Sequence, residues 1–189
     1  MKPEIMLPTS VAKRTTMDIV LIALFASLGI ATKSIVQPMV AVFTGPLYIP
    51  TGAVAGGLYM MWPVMAYGFT RKLGTATIIS LTQAFFALLI PIGNFGVFTF
   101  VIYLAPGLAI DGFFLLSRHK ACCAACCIGA AAIANVVGTI SVSALLLALP
   151  EFALLFFALI AAISGCVGGF VTNILLTKTR KIVFRSYDG

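Results

Sequence analysis

Apolar runs of about 20 residues recur along nearly the whole 189-residue chain, and no soluble domain fits between them. At 1.5 Å of rise per residue, each run is long enough to cross roughly 30 Å of hydrocarbon as a helix. With 61% hydrophobic and 9% charged residues, the chain has too little polar surface to clothe a soluble globule. The sequence therefore predicts an all-α polytopic membrane protein, a single integral domain over 1–189 with short tails at about 1–16 and 178–189. Six spans are expected, at about 17–36, 47–69, 74–91, 96–117, 121–149 and 152–177.

The net charge of +7 does not point to nucleic acid, because the basic residues form no single patch with interleaved aromatics. They sit between and beyond the apolar runs. Lys2, Lys13 and Arg14 precede the first, Arg71 and Lys72 follow the second, Arg118 and Lys120 follow the fourth, and Lys178, Arg180, Lys181 and Arg185 close the chain. In a six-span chain these eleven fall on one side, and only Lys33 falls toward the other. The excess of Lys and Arg in cytoplasmic loops then places both termini in the cytoplasm. Residues 1–14 form a mixed polar arm with no cleavage site after a short apolar core, so the first run is expected to remain as a helix.

The connections on the other side carry Pro38, Gly45, Pro46 and Pro50, then Pro91, Gly93, Asn94 and Gly96. Such residues stop helices and permit irregular backbone, which lipid tolerates at the water interface or around a cavity. They read either as ordinary turns or as the rim of an outward pocket.

Asp111 is the one carboxylate set deep in an apolar run, and an ionisable group at membrane depth marks a site or a pathway unless it is paired. An ion pair to Arg118 or Arg71 would satisfy it; otherwise it closes the floor of a polar cavity. Further polar groups within the spans or at their ends are Tyr48, Tyr59, Trp62, Gln83, Asn94, Tyr103, Asn135 and Asn173. Together they offer hydrogen bonds and stacking surface to a planar, nitrogen-containing ligand. Singly, each also reads as a bundle hydrogen bond or an interfacial anchor.

Ala23, Ser27 and Ala31 recur every four residues and make one small-residue stripe on the first span, suited to close approach of another helix, within the bundle or from a partner. A second row, Gly165, Gly169 and Asn173, is assigned to packing inside the bundle. Cys122, Cys123, Cys126 and Cys127, with His119 beside them, suggest a metal site. Four cysteines within six residues of one helix cannot surround an ion, however, so small-residue packing is the preferred reading over metal or lipidation, and no metal ligand is assigned. The chain has no phosphate-binding glycine loop with its lysine and no pair of intramembrane acids. It is expected to be neither an enzyme nor its own ATPase, and to bind no cofactor.

Six spans in under 200 residues, both ends inside and a small-residue first helix resemble the substrate-binding S components of energy-coupling-factor (ECF) vitamin transporters. The thiamine and hydroxymethylpyrimidine family is the most similar, through Gly45-Pro46, the turn Arg71-Lys72-x-Gly74-x-Ala76, the pair Gly93-Asn94, and the run Gly107, Asp111, Arg118. The resemblance implies a subunit in the plasma membrane of a prokaryote that captures a vitamin in an outward pocket. It then docks through Ala23, Ser27 and Ala31 onto a membrane coupling protein driven by two cytosolic ATPases, which consume the ATP. The alternatives are an S component for a cobalamin-related vitamin or a metal, and a stand-alone secondary carrier. Metal S components resemble one another in a histidine after the first methionine, where this chain has Lys2.

Overall fold

The structure, a computed structural model, describes residues 15–47, 49–89, 96–117, 123–147 and 150–187. These form six helices and, among the described residues, no strand: α1 (Thr16–Thr44), α2 (Thr51–Thr70), α3 (Thr75–Leu89), α4 (Phe98–Ser117), α5 (Ala124–Val142) and α6 (Glu151–Tyr187). A 3-10 turn, Gly45–Leu47, follows α1, and a π-helical turn, Ser143–Leu147, prolongs α5. The stretches Thr16–Thr44, Phe98–Ser117, Ala124–Leu146 and Glu151–Thr179 are each long and apolar enough to cross a membrane. α2, of 20 residues, packs against α1, α3, α5 and α6 and buries half its length, while α3 is shorter at 15 residues. Leu24, Leu28, Ile35 and Met39 on α1 and Leu155, Leu159, Ile163 and Val167 on α6 remain exposed. Such outward apolar faces are what lipid solvates, and the protein is a multi-pass membrane protein.

Two sequence expectations about α1 are corrected. Its helix does not stop near residue 36 but runs through Pro38 to Thr44, since membrane helices tolerate the lost hydrogen bond and local crowding of a proline when neighbouring groups re-satisfy the freed backbone. Lys33, expected close to the outer end of that span, consequently lies well inside the helix. The fifth segment forms one continuous helical stretch, and α6 continues beyond Lys178 to Tyr187.

Antiparallel neighbours bring the start of α1, the α2–α3 turn and the later part of α6 to one end. There Thr15 and Asp18 form a capping box at the start of α1, satisfying N–H groups that a helix start leaves open. The same Asp18 carboxylate accepts from Lys72 Nζ at 2.6 Å. Arg71 closes α2 in a left-handed conformation, its N–H donating to the Tyr67 carbonyl at 2.8 Å. Leu176 of α6 packs on Gly68 of α2. Arg71, Lys72 and Lys178 gather at this basic end.

Above it lies the main core, with Ile22, Phe25, Val64, Ile79, Ile110 and Phe114 buried. Tyr67 and Phe114 stack at 4.1 Å. Cys126 and Cys127 are buried in this core beside Ala130, Ala131 and Ala134, the packing expected of small residues. Cys123 is exposed, its sulfur 3.0 Å from that of Cys126; Cys122 and His119 lie outside the described residues, as does Arg118. Gly165 and Gly169 press α6 against the α5 backbone at Ala131, Ala132 and Ile128, as expected of that row. Ser164 ties α6 to α2 by donating to the Val54 carbonyl and accepting from the Gly57 N–H. Ala23, Ser27 and Ala31 do not pack within the bundle: all three are exposed on the outer face of α1, with the Ser27 hydroxyl turned back onto the Ala23 carbonyl at 2.8 Å.

Candidate ligand-binding cavity

In the half away from the basic end, a cavity with about 620 Å³ of atom-free space, part of it open, lies among α1, α2, α3, α4 and α5. The local sequence makes room for it. Pro50 opens α2 without a side-chain cap, Pro106 lies within α4 where its ring lines the wall, and Gly29, Gly52 and Gly138 contribute no side chains to it.

Its polar groups are Lys33, Tyr59, Ser80, Gln83, Tyr103, Asn135 and Thr139. Lys33 reaches in from α1, its Nζ 3.8 Å from the Tyr103 ring centroid and 5.6 Å from that of Tyr59. Both distances are within the reach of cation–π attraction. Gln83 donates to the Ala26 carbonyl at 3.4 Å, joining α3 to α1. Asn135, 2% exposed, donates to the carbonyls of Ala161 at 2.8 Å and Ala53 at 3.3 Å. Its Oδ1 rests on Gly56, where any Cβ would collide with it. Asn135 is thus a junction of α2, α5 and α6 as well as a wall residue. Thr139, 3% exposed, has no hydrogen-bond partner for its hydroxyl, and neither does Ser143 one turn on.

Of the nine residues singled out from the sequence, Tyr59, Gln83, Tyr103 and Asn135 meet in this cavity. Tyr48 and Asn94 lie outside the described residues. Trp62 does not line the cavity; it fastens α2 to α1, its indole N–H donating to Thr32 Oγ1 at 2.9 Å and its ring packing near Phe25. Asn173 also lies elsewhere, half-buried on α6 with its carbonyl accepting from Thr177. Asp111 is outside the cavity too, in the basic-end half. Its Oδ2 accepts from the Thr77 N–H at 2.8 Å and the Thr77 hydroxyl at 2.6 Å, so it caps the start of α3 from α4. No ion pair to Arg71 forms, and Oδ1 is left without a partner. The residues missed from the sequence are Lys33, Ser80 and Thr139. Lys33 carried a signal, as the one base inside an apolar run; the two hydroxyls carried none.

No group of three or more His, Cys, Asp or Glu able to hold a metal occurs among the described residues, and the polar lining consists of amides, hydroxyls, phenols and one ammonium. A multi-pass helical bundle with polar groups lining an internal cavity can house a small solute within the membrane. Residues 17–137 match the family model described as the permease component of ABC-type cobalt transport systems, and the protein belongs to that family. No curated protein and no solved structure gives a significant match. The chain is a membrane component of an ABC transporter of the ECF type, and membership implies association with ATPase components.

Proposed function

We propose that the chain is the substrate-capture (S) subunit of an ECF-type importer for a small water-soluble vitamin or precursor, of the thiamine or hydroxymethylpyrimidine type. The observation that carries this reading is the cavity lining. Two tyrosine rings give the cavity aromatic surface, and Gln83, Ser80 and Thr139 stand where a ligand's ring nitrogens and hydroxyls could hydrogen-bond to them. Within that type, a pyrimidine that is uncharged or carries an anionic group suits Lys33 better than a cationic thiazolium. A cobalt or cobalamin-related cargo is the second reading, favoured by the family's description. A bare divalent ion fits the lining poorly, since it would need imidazole, carboxylate or thiolate ligands and would face the Lys33 ammonium instead.

In this reading both termini are cytoplasmic and the cavity opens outward. The exposed Ala23, Ser27 and Ala31 form the face that docks on a coupling protein, whose two cytosolic ATPases supply the energy; the chain itself performs no catalysis and binds no cofactor. Ala23→Tyr or Ser27→Tyr should abolish uptake by the assembled transporter while the isolated protein binds its ligand as before. Loss of binding in the isolated variant would place the stripe in the bundle's own packing. Concentrative uptake driven by an ion gradient, with no ATPase present, would favour a secondary carrier.

A further inference from the structure

We infer that the cavity takes an organic anion, a ring compound bearing a carboxylate or a phosphate ester, with Lys33 holding the charged group and Thr139 hydrogen-bonding the same molecule. This rests on the reading of the cavity as the capture site and narrows its substrate class.

A lysine ammonium in a cavity of a membrane bundle is stabilised by a counter-charge, and this chain has five acids from which to draw one. Asp18 is committed to Lys72 at 2.6 Å. Asp111 caps α3 through Thr77 in the other half of the bundle. Glu151 is exposed at the start of α6, and Glu4 and Asp188 belong to the chain ends outside the described residues. None of the described acids, Asp18, Asp111 and Glu151, lines the cavity. Lys33 instead meets the faces of Tyr103 and Tyr59, which hold the ammonium in place without neutralising it. A group so placed gains most from a ligand that brings the missing charge.

Thr139 adds an independent observation. Elsewhere in the protein, hydroxyls within helices turn back onto the carbonyl four residues earlier, as those of Thr44, Thr82, Ser117, Ser141 and Thr172 do. Thr139 does not; it is buried, lines the cavity and has no partner. A buried hydroxyl left unpaired is costly unless something else occupies it. The adjoining π-helical turn, Ser143–Leu147, is of a kind that recurs at functional sites.

The test uses matched pairs of probes that differ in charge: nicotinate with nicotinamide, and hydroxymethylpyrimidine monophosphate with hydroxymethylpyrimidine. Binding to the full chain in detergent is followed by calorimetry and by thermal shift. One anion at least should bind about 10- to 100-fold more tightly than its neutral partner, the range expected of a hydrogen bond to a charged group. The pair that shows this distinguishes carboxylate from phosphate. Lys33→Met should erase that preference, and Lys33→Arg should keep most of it. If Lys33→Met does not fold, the wild-type pairs and Lys33→Arg decide. Neutral members binding as tightly as the anions, a preference that survives in Lys33→Met, or no binding of either anion at millimolar concentration would overturn the inference. Tight binding of a neutral partner without anion preference would leave the vitamin reading standing, whereas cobalt bound in place of any organic molecule would remove both.

Discussion

The two halves of the bundle solve the burial of polar groups in opposite ways. At the basic end nearly every such group is answered from within: Asp18 by Thr15 and Lys72, the start of α3 by Asp111, and the last turn of α2 by Arg71. In the other half no acid among the described residues faces Lys33, Thr139 and Ser143 are unpaired, and glycines form part of the cavity wall. A half that satisfies itself serves stability, whereas groups left open are expected at functional or strained sites.

This contrast is sharpest where a substitution should affect one property and spare the other. Phe114→Ala removes the ring stacked on Tyr67 in the packed half, and should cost about 3–5 kcal/mol. Thermal unfolding in detergent should report that loss, while ligand affinity of the folded fraction stays unchanged; a matching loss of affinity would join the two halves. Asp111→Ala leaves the Thr77 N–H and hydroxyl without their acceptor and should cost about 1–3 kcal/mol. Asp111→Asn retains an acceptor oxygen, and both variants should bind ligand normally, because Asp111 lies outside the cavity. A binding defect in Asp111→Asn would return this carboxylate to the site. Thr139→Val has the smallest expected effect on stability and the opposite sign. It removes an unpaired hydroxyl and should stabilise the empty protein by about 1 kcal/mol, while ligand binding weakens. Destabilisation of the empty protein would show that the hydroxyl already serves the fold.

The same contrast explains what the sequence disclosed. Helices were legible because apolar runs must satisfy their own backbone in lipid, and the small residues at Gly165, Gly169, Cys126 and Cys127 correctly suggested close packing. The extent of α1 was not legible: Pro38 looks like a terminator, and its tolerance depends on the lipid and neighbouring helices rather than on local sequence. Asp111 drew attention as the deep charge, yet its partner is Thr77, 34 residues away on another helix. Lys33 was read only as an exception to the charge pattern, although an ionisable residue within a span has functional weight of its own. Whether Trp62 or Thr139 faces the cavity is decided by the rotation of a helix against its neighbours, which no single position encodes.

The contrast between the halves implies that the open half holds a small organic molecule. The most direct measurement is mass spectrometry, organic and elemental, of whatever co-purifies with the full chain from rich medium. The prediction is one small ring-containing organic molecule at near-stoichiometric occupancy, without cobalt. Stoichiometric cobalt with no organic companion would contradict it.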